Sequence, residues 1–198
     1  MPTVILYFGS FNPVHNGHIA LARTVAALYR AQGWFVLSPQ SPFKRNDGLW
    51  PEGTRAYLLE QALRPLAELK FCDVELHLPK PSYTIDTLRH LQGRYPHVRF
   101  MILMGEDNLY GLPAWKESEE ILDRYPILVY PRQSKEKTVP GQDRLLVPER
   151  SGDKITFLEN LPLLDISSTG IRQRLAKGKD ISNLVPWQVS ELDSLPLS

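Results

Sequence analysis

Two stretches near opposite ends of the chain carry residues suited to phosphate chemistry. The first runs Gly9-Ser10-Phe11-Asn12-Pro13-Val14-His15-Asn16-Gly17-His18. Glycine at its start lets the chain turn closely and turns backbone N–H groups toward a ligand. Ser10 adds a hydroxyl, and a helix beginning near His18 would point its positive end at the same place. His15 and His18 are three apart, the spacing that puts side chains on one helix face, so both imidazoles are expected to face this cradle as donors to negative charge. A tight turn with a capping histidine would explain one His. It does not explain the pair, nor Gly17 between them. The stretch is not G-x-G-x-x-G, and no G-K-[ST] follows, so it is not a Walker loop. The second stretch is Ile166-Ser167-Ser168-Thr169-Gly170-Ile171-Arg172. Ser167 and Ser168 are natural helix N-caps. With an arginine one turn on, the same hydroxyls and N–H groups make an anion site, because a guanidinium grips phosphate bidentately.

These residues need elements to hold them. Val4–Phe8 is a continuous apolar run, as in a strand buried on both faces. His18–Ala31 reads as a helix with Ile19, Leu21, Ala22, Val25, Ala26 and Leu28 inward and Gly33 as its stop. Further strands are expected at Trp34–Ser38, Phe71–Leu78, Val98–Met104, Ile127–Tyr130 and Ile155–Leu158. Further helices are expected at Thr54–Leu69, Thr84–Tyr95, Glu117–Tyr125, Ser167–Lys177 and Val185–Leu192. Thr54 would cap the first of these, Tyr57, Leu58, Gln61, Ala62 and Leu66 follow its helical spacing, and Pro65 would kink or end it. Residues 131–153 are polar and breaker-rich and read as a long surface loop. Alternation of strand and helix predicts an α/β, Rossmann-like doubly wound parallel sheet with helices on both faces and right-handed crossovers. Ligands of such sheets sit at the carboxyl ends of the strands, near the switch in strand order.

Composition narrows the function classes. With 198 residues, 42% hydrophobic and 23% charged, the chain reads as one globular domain over 1–198. The lone Cys72 excludes an internal disulfide and a Cys-based zinc site, and points to a reducing, cytoplasmic setting. No apolar run approaches the roughly 18 residues of a membrane span, and the start lacks the cationic and apolar regions of a signal peptide. A formal net charge of +1 argues against DNA or RNA as a partner. The cations are unevenly placed, however. Residues 1–46 hold Arg23, Arg30, Lys44 and Arg45 with no acid, and residues 166–179 hold Arg172, Arg174, Lys177 and Lys179 with none. That pattern suits a small polyanion.

The first stretch resembles the (H/T)xGH signature of the nucleotidyltransferase superfamily, and the second resembles the ISSTxIR motif of its adenylyltransferase branch. Between them, Ser38-Pro39-Gln40-Ser41-Pro42-Phe43-Lys44 resembles the loop P-x-x-x-P-P-H-K/R, with Phe43 in place of the usual His. Gly105-Glu106-Asp107-Asn108-Leu109 is similar to the family's G-x-D-x-L. Pro81-Ser82-Tyr83-Thr84-x-x-Thr87-Leu88 is similar to the PSYTxxTL stretch of bacterial nicotinate-nucleotide adenylyltransferases. It also reads as a Thr-capped helix start. The resemblance spans residues 4–189. Phe8 departs from the first Gly of GG[TS]F, Asn12 from a common Asp, and Lys116 from a frequent aromatic.

The resemblance implies transfer of AMP from ATP to nicotinate mononucleotide, giving deamido-NAD and pyrophosphate. It implies an ATP site of Gly9, Ser10, Phe11, His15, His18, Gly105, Asp107, Ile166, Ser167, Ser168, Thr169 and Arg172. Asp107 would accept from a ribose. It implies a nicotinate-nucleotide site of Asn12, Lys44, Ser82, Tyr83, Thr84, Trp115 and Arg132, with Trp115 stacked on the pyridine ring. His15, His18, Lys44 and Arg172 would be catalytic. The attacking phosphate is already anionic, so no general base is required, and the sequence shows no obvious catalytic carboxylate pair. Mg²⁺ is expected, held mainly by substrate phosphates and water. A nicotinamide-mononucleotide or dual-specificity enzyme is the near alternative. PSYTxxTL and Trp115 speak against a phosphopantetheine or cytidylyl transferase. A non-catalytic nucleotide sensor would be expected to lack His15, His18 or Arg172. The sequence leaves open whether the chain is a monomer or a homo-oligomer.

Overall fold

A computed structural model describes residues 1–39, 48–131, 154–159, 161 and 164–197. Six strands form one sheet: β1 (Thr3–Gly9), β2 (Gln32–Leu37), β3 (Leu69–Cys72), β4 (Arg99–Gly105), β5 (Ile127–Tyr130) and β6 (Ile155–Phe157). All neighbours pair in parallel, in the order β3-β2-β1-β4-β5-β6. The helices are α1 (Asn16–Leu28), α2 (Glu52–Leu63), α3 (Val74–His77), α4 (Thr84–Arg94), α5 (Glu106–Gly111), α6 (Ser118–Arg124) and α7 (Ser168–Leu175). Short 3₁₀ turns cover Leu112–Ala114 and Val189–Ser194.

The strands are apolar on both sides because both faces are covered. Ile5, Tyr7, Phe35, Leu37, Met101 and Leu103 pack with Leu21 and Val25 of α1, Leu58 and Leu59 of α2 and Ile171 of α7. The alternate residues Val4, Leu6, Trp34, Val36, Phe100 and Ile102 pack with Ile85, Leu88 and Leu91 of α4 and Ile121 of α6. Each fully buried aliphatic side chain contributes roughly 1.5–3 kcal/mol. The expected doubly wound sheet is therefore present, with its two layers drawn from alternate positions of the same strands.

Several local expectations need correction. α1 ends at Leu28, with Tyr29 as C-cap and Arg30 in the left-handed region at φ 48°, so Gly33 is not its stop. Gly33 lies in β2, where a Cβ would fall 2.8 Å from Leu69 Cδ2. Leu28 points outward, 64% exposed. α2 starts after Pro51, so Thr54 is no cap; its hydroxyl donates to the Pro196 carbonyl at 2.6 Å. The helix stops before Pro65, and Leu69 already belongs to β3. Its inward face is Thr54, Arg55, Leu58, Leu59, Ala62 and Leu63, while Tyr57 is exposed. β3 breaks off at Cys72, and Val74–His77 turn into α3, which buries Val74 and Glu75. Residues 106–111 form α5, for which the sequence reading had no helix. Tyr83, not Thr84, is the N-cap of α4, and it makes no side-chain cap bond.

Candidate active site at the β1–β4 switch

Strand order reverses direction of growth between β1 and β4, and the loops leaving both strands carry the sequence motifs. Phe11 sits at φ 40°, a conformation that non-glycine residues rarely adopt. Its ring is buried against Gly9, where a Cβ would come within 2.9 Å of Phe11 Cζ. The same ring meets Tyr7, Phe35 and, edge-on at 5.2 Å, His18. The Phe11 side chain thus acts as a buried plug supporting His18.

His15 and His18 form the two halves of a reciprocal helix cap. His15 Nδ1 accepts from the His18 N–H at 3.4 Å, and His18 Nδ1 accepts from the His15 N–H at 3.3 Å. The rings stack 3.6 Å apart at 20°. Gly17 has no Cβ because one would press on the His15 ring at 3.0 Å. Backbone N–H groups can only donate, so both Nδ1 atoms are acceptors and each neutral ring carries its proton on Nε2. The two stacked imidazoles therefore sit at the positive end of α1.

The second motif docks onto the first. Ser167 caps α7, accepting from the Gly170 N–H at 3.1 Å. Ser168 Oγ donates to the Pro13 carbonyl at 2.9 Å. Arg172 Nη1 donates to the Asn12 carbonyl at 2.6 Å, and Nη2 reaches Thr169 Oγ1 at 3.5 Å. Partial burial lowers the Arg172 guanidinium from its ordinary value. Ile166 approaches Gly17, its Cβ 3.7 Å from where a Cβ there would stand. The carboxy-terminal segment braces this contact: Trp187 Nε1 donates to the Val14 carbonyl, and the Asn16 N–H to Leu184. Asn12 is committed to the chain. Its Nδ2 donates to Gly48 at 2.8 Å and its Oδ1 accepts from Trp50 N–H at 2.9 Å.

At the end of β4, Gly105 leaves space for Asp107: a Cβ there would lie 2.5 Å from Asp107 Oδ1. Asp107 is exposed at the start of α5. Tyr7 and Tyr130 hydroxyls meet at 3.1 Å beneath it, across β1, β4 and β5. Tyr83 and the Trp115 loop are brought together by Lys116, whose Nζ lies 5.0 Å from the Tyr83 ring centre and bonds Asp86 at 2.9 Å. Trp115 is half-buried against the β4 side of the core. Ser82 donates instead to Glu75 Oε2 at 3.0 Å, and Thr87 to Glu75 Oε1 at 2.9 Å. Thr84 opens α4 beside them. Lys44 and Arg132, with most of residues 131–153, lie outside the described residues. Sequence reasoning missed two buried charges behind these motifs, Glu75 and Arg55. Arg55 sits in a helix stretch and Glu75 in what reads as a strand, and in either a single charged residue reads as a solvated one. Among the described residues no group of three His, Cys, Asp or Glu side chains could hold a metal, and no helix is long and apolar enough to cross a membrane.

A parallel sheet of this order, with two helix N-termini and a pair of imidazoles at its switch, has the architecture of nucleotide-binding α/β proteins. Residues 6–174 match the model of the cytidylyltransferase-like family, and the chain belongs to that family. Among curated relatives, a protein of Cytophaga hutchinsonii described as a probable nicotinate-nucleotide adenylyltransferase is 38% identical, covering 94% of this chain and 93% of its own. One of Flavobacterium psychrophilum, described in the same words, is 39% identical over 93% and 92%. The fold matches Plasmodium falciparum nicotinic acid mononucleotide adenylyltransferase complexed with NaAD, with a TM-score of 0.73 at 20% identity, covering 93% of this chain and 91% of that one. The same enzyme complexed with APC gives 0.71 at 20%, over 93% and 90%. At that identity the likeness is one of fold.

Proposed function

We infer that the protein transfers AMP from ATP to nicotinate mononucleotide, giving deamido-NAD and pyrophosphate. The observation that carries this is the docking of α7 onto the first motif, which puts Arg172, the α7 N-terminus and the two histidines around one loop. Relatives that share over a third of the residues across nearly the whole chain bear that enzyme's name.

In this reading an oxygen of the mononucleotide 5′-phosphate attacks the α-phosphorus in line. A new P–O bond forms, the bond from the α-phosphorus to the bridging oxygen breaks, and pyrophosphate leaves with that electron pair. No proton has to move. Catalysis therefore lies in positioning two polyanions and stabilising equatorial charge. The Nε2–H groups of His15 and His18 donate to the ATP phosphates, and Arg172 holds the outer phosphates. Asp107 accepts from the ribose, and Trp115 and the Ser82–Thr84 turn border the pyridine ring. Lys44 and Arg132, which lie outside the described residues, would take the incoming nucleotide. Mg²⁺ would travel with the triphosphate, with phosphate oxygens and water as its main ligands. A cytoplasmic place of action accords with the lone buried Cys72.

The test is product identification. With ATP and nicotinate mononucleotide, chromatography should show deamido-NAD accumulating in step with loss of ATP. Release of ADP or free AMP without a dinucleotide would overturn the assignment.

A further inference from the structure

We propose that Arg55 is a positioning residue of the phosphate site, fixing the Ser10 end of the cradle relative to the exit of β2. Only its kinetic test rests on the adenylyltransferase reading above.

Arg55 lies in the first turns of α2 and is 1% exposed. Its Nε donates to the Trp50 carbonyl at 2.9 Å. Nη1 donates to Ser10 and to Ser38, both at 2.9 Å, and Nη2 donates to Pro39 at 2.8 Å. All four acceptors are main-chain carbonyls, and they come from three separate segments. A planar fork can serve such a set, whereas a lysine ammonium on one flexible stem cannot. Among the described residues no carboxylate hydrogen-bonds to the guanidinium, and Glu52 acts on it only through space. A buried cation without a bonded counter-ion is costly. A fold that needed only filling at this point would be served by an apolar side chain. An expensive residue that breaks the local rule is the mark of a functional position.

The geometry says what the expense achieves. Ser10 precedes Phe11 through a trans peptide, so drawing the Ser10 carbonyl toward α2 turns the Phe11 N–H the opposite way. Two residues on, the Asn12 carbonyl is held by Arg172 from α7. The cradle loop is thus gripped by two guanidinium groups from two helices. Trp50 extends the hold: its carbonyl accepts from Arg55 and its N–H donates to Asn12 Oδ1. Through Ser38 and Pro39 the same side chain ties the Ser10 end of the cradle to the chain just past β2. In-line transfer tolerates little misplacement; an error near 1 Å can cost about 10²-fold.

Arg55→Gln and Arg55→Lys test this. Each folded variant is compared with wild type, well below its melting temperature, in two measurements: tripolyphosphate binding by calorimetry, and steady-state kinetics with ATP corrected for the folded fraction. The proposal expects the tripolyphosphate Kd and the KM for ATP to rise several-fold. It expects kcat per folded molecule to fall about 10–10²-fold, with lysine failing to restore it. A lowered melting temperature with wild-type Kd, KM and kcat per folded molecule would show a purely structural arginine and overturn the proposal. Failure of both variants to fold would overturn it in the same sense. If wild type turns over neither mononucleotide, the functional reading falls, and the tripolyphosphate Kd alone decides the role of Arg55.

Discussion

The two histidines show how much one backbone bond can settle. With both Nδ1 atoms accepting from main-chain N–H groups, each neutral ring is left with an Nε2–H donor, and Phe11 and Gly17 fix the ring planes. Removing a donor that acts on developing charge costs about 10²-fold or more in kcat. His18→Ala should show that loss in pyrophosphate release, and an unchanged kcat would remove His18 from the mechanism. Gly105→Ala probes the facing side. Its Cβ would displace the Asp107 carboxylate, a movable side-chain end, and press on Tyr130 Cζ and Oη at 3.3 Å, so the variant should melt a few degrees below wild type. The KM for ATP should rise roughly five- to tenfold, the worth of one hydrogen bond. An unaltered KM would take Asp107 out of the ribose contact. Residues of this kind are legible in a sequence because they come in runs of recognisable chemistry. Arg55 is not: its partners are carbonyls, which every residue owns, and nothing in the letters marks them.

Elements were legible where periodicity is long and uniform, as in α1, α4, β1 and β4. They blurred where a polar side chain is the buried one. The inward face of α2 is not legible in the sequence because Thr54 and Arg55 point inward and Tyr57 outward. The end of β3 is hidden in the sequence because Leu76 and Leu78 continue an apolar pattern after the chain has turned into α3 around Glu75. That carboxyl gives the element a pH signature. Burial raises it above its ordinary value, and the hydroxyls of Thr87, Ser38 and Ser82 offset part of the rise. The folded protein then holds this proton more tightly than the unfolded chain does. Stability from this group is full below the unfolded value and is lost as pH climbs through the folded one. Glu75→Gln lacks that loss. Its melting temperature minus that of wild type should rise by a few degrees from acid to mildly alkaline pH, at about 2–4 °C per kcal/mol for a chain of this size. A difference that stays flat with pH would show that Glu75 keeps the same proton in both states.

On the scale of the whole molecule, the charge pattern and the topology agree. The cations concentrated at the two chain ends divide in the fold. Arg172 turns in to the cradle, while Arg23 pairs with Glu68 at 2.7 Å on an exposed surface and Arg174 bonds the Asp180 carbonyl at 3.3 Å. Segments more than 150 residues apart meet because the sheet order places the ends of β1 and β4 side by side and leaves α7 to close over the first loop. A site made this way should recognise its second substrate by the ring and not only by phosphate. The most direct measurement is therefore pyrophosphate release with ATP and, in parallel, nicotinate or nicotinamide mononucleotide. Turnover is expected with both substrates present, with a higher kcat/KM for the nicotinate form. No turnover with either would contradict the assignment to adenylyl transfer, and a higher kcat/KM for the amide would contradict the choice of substrate.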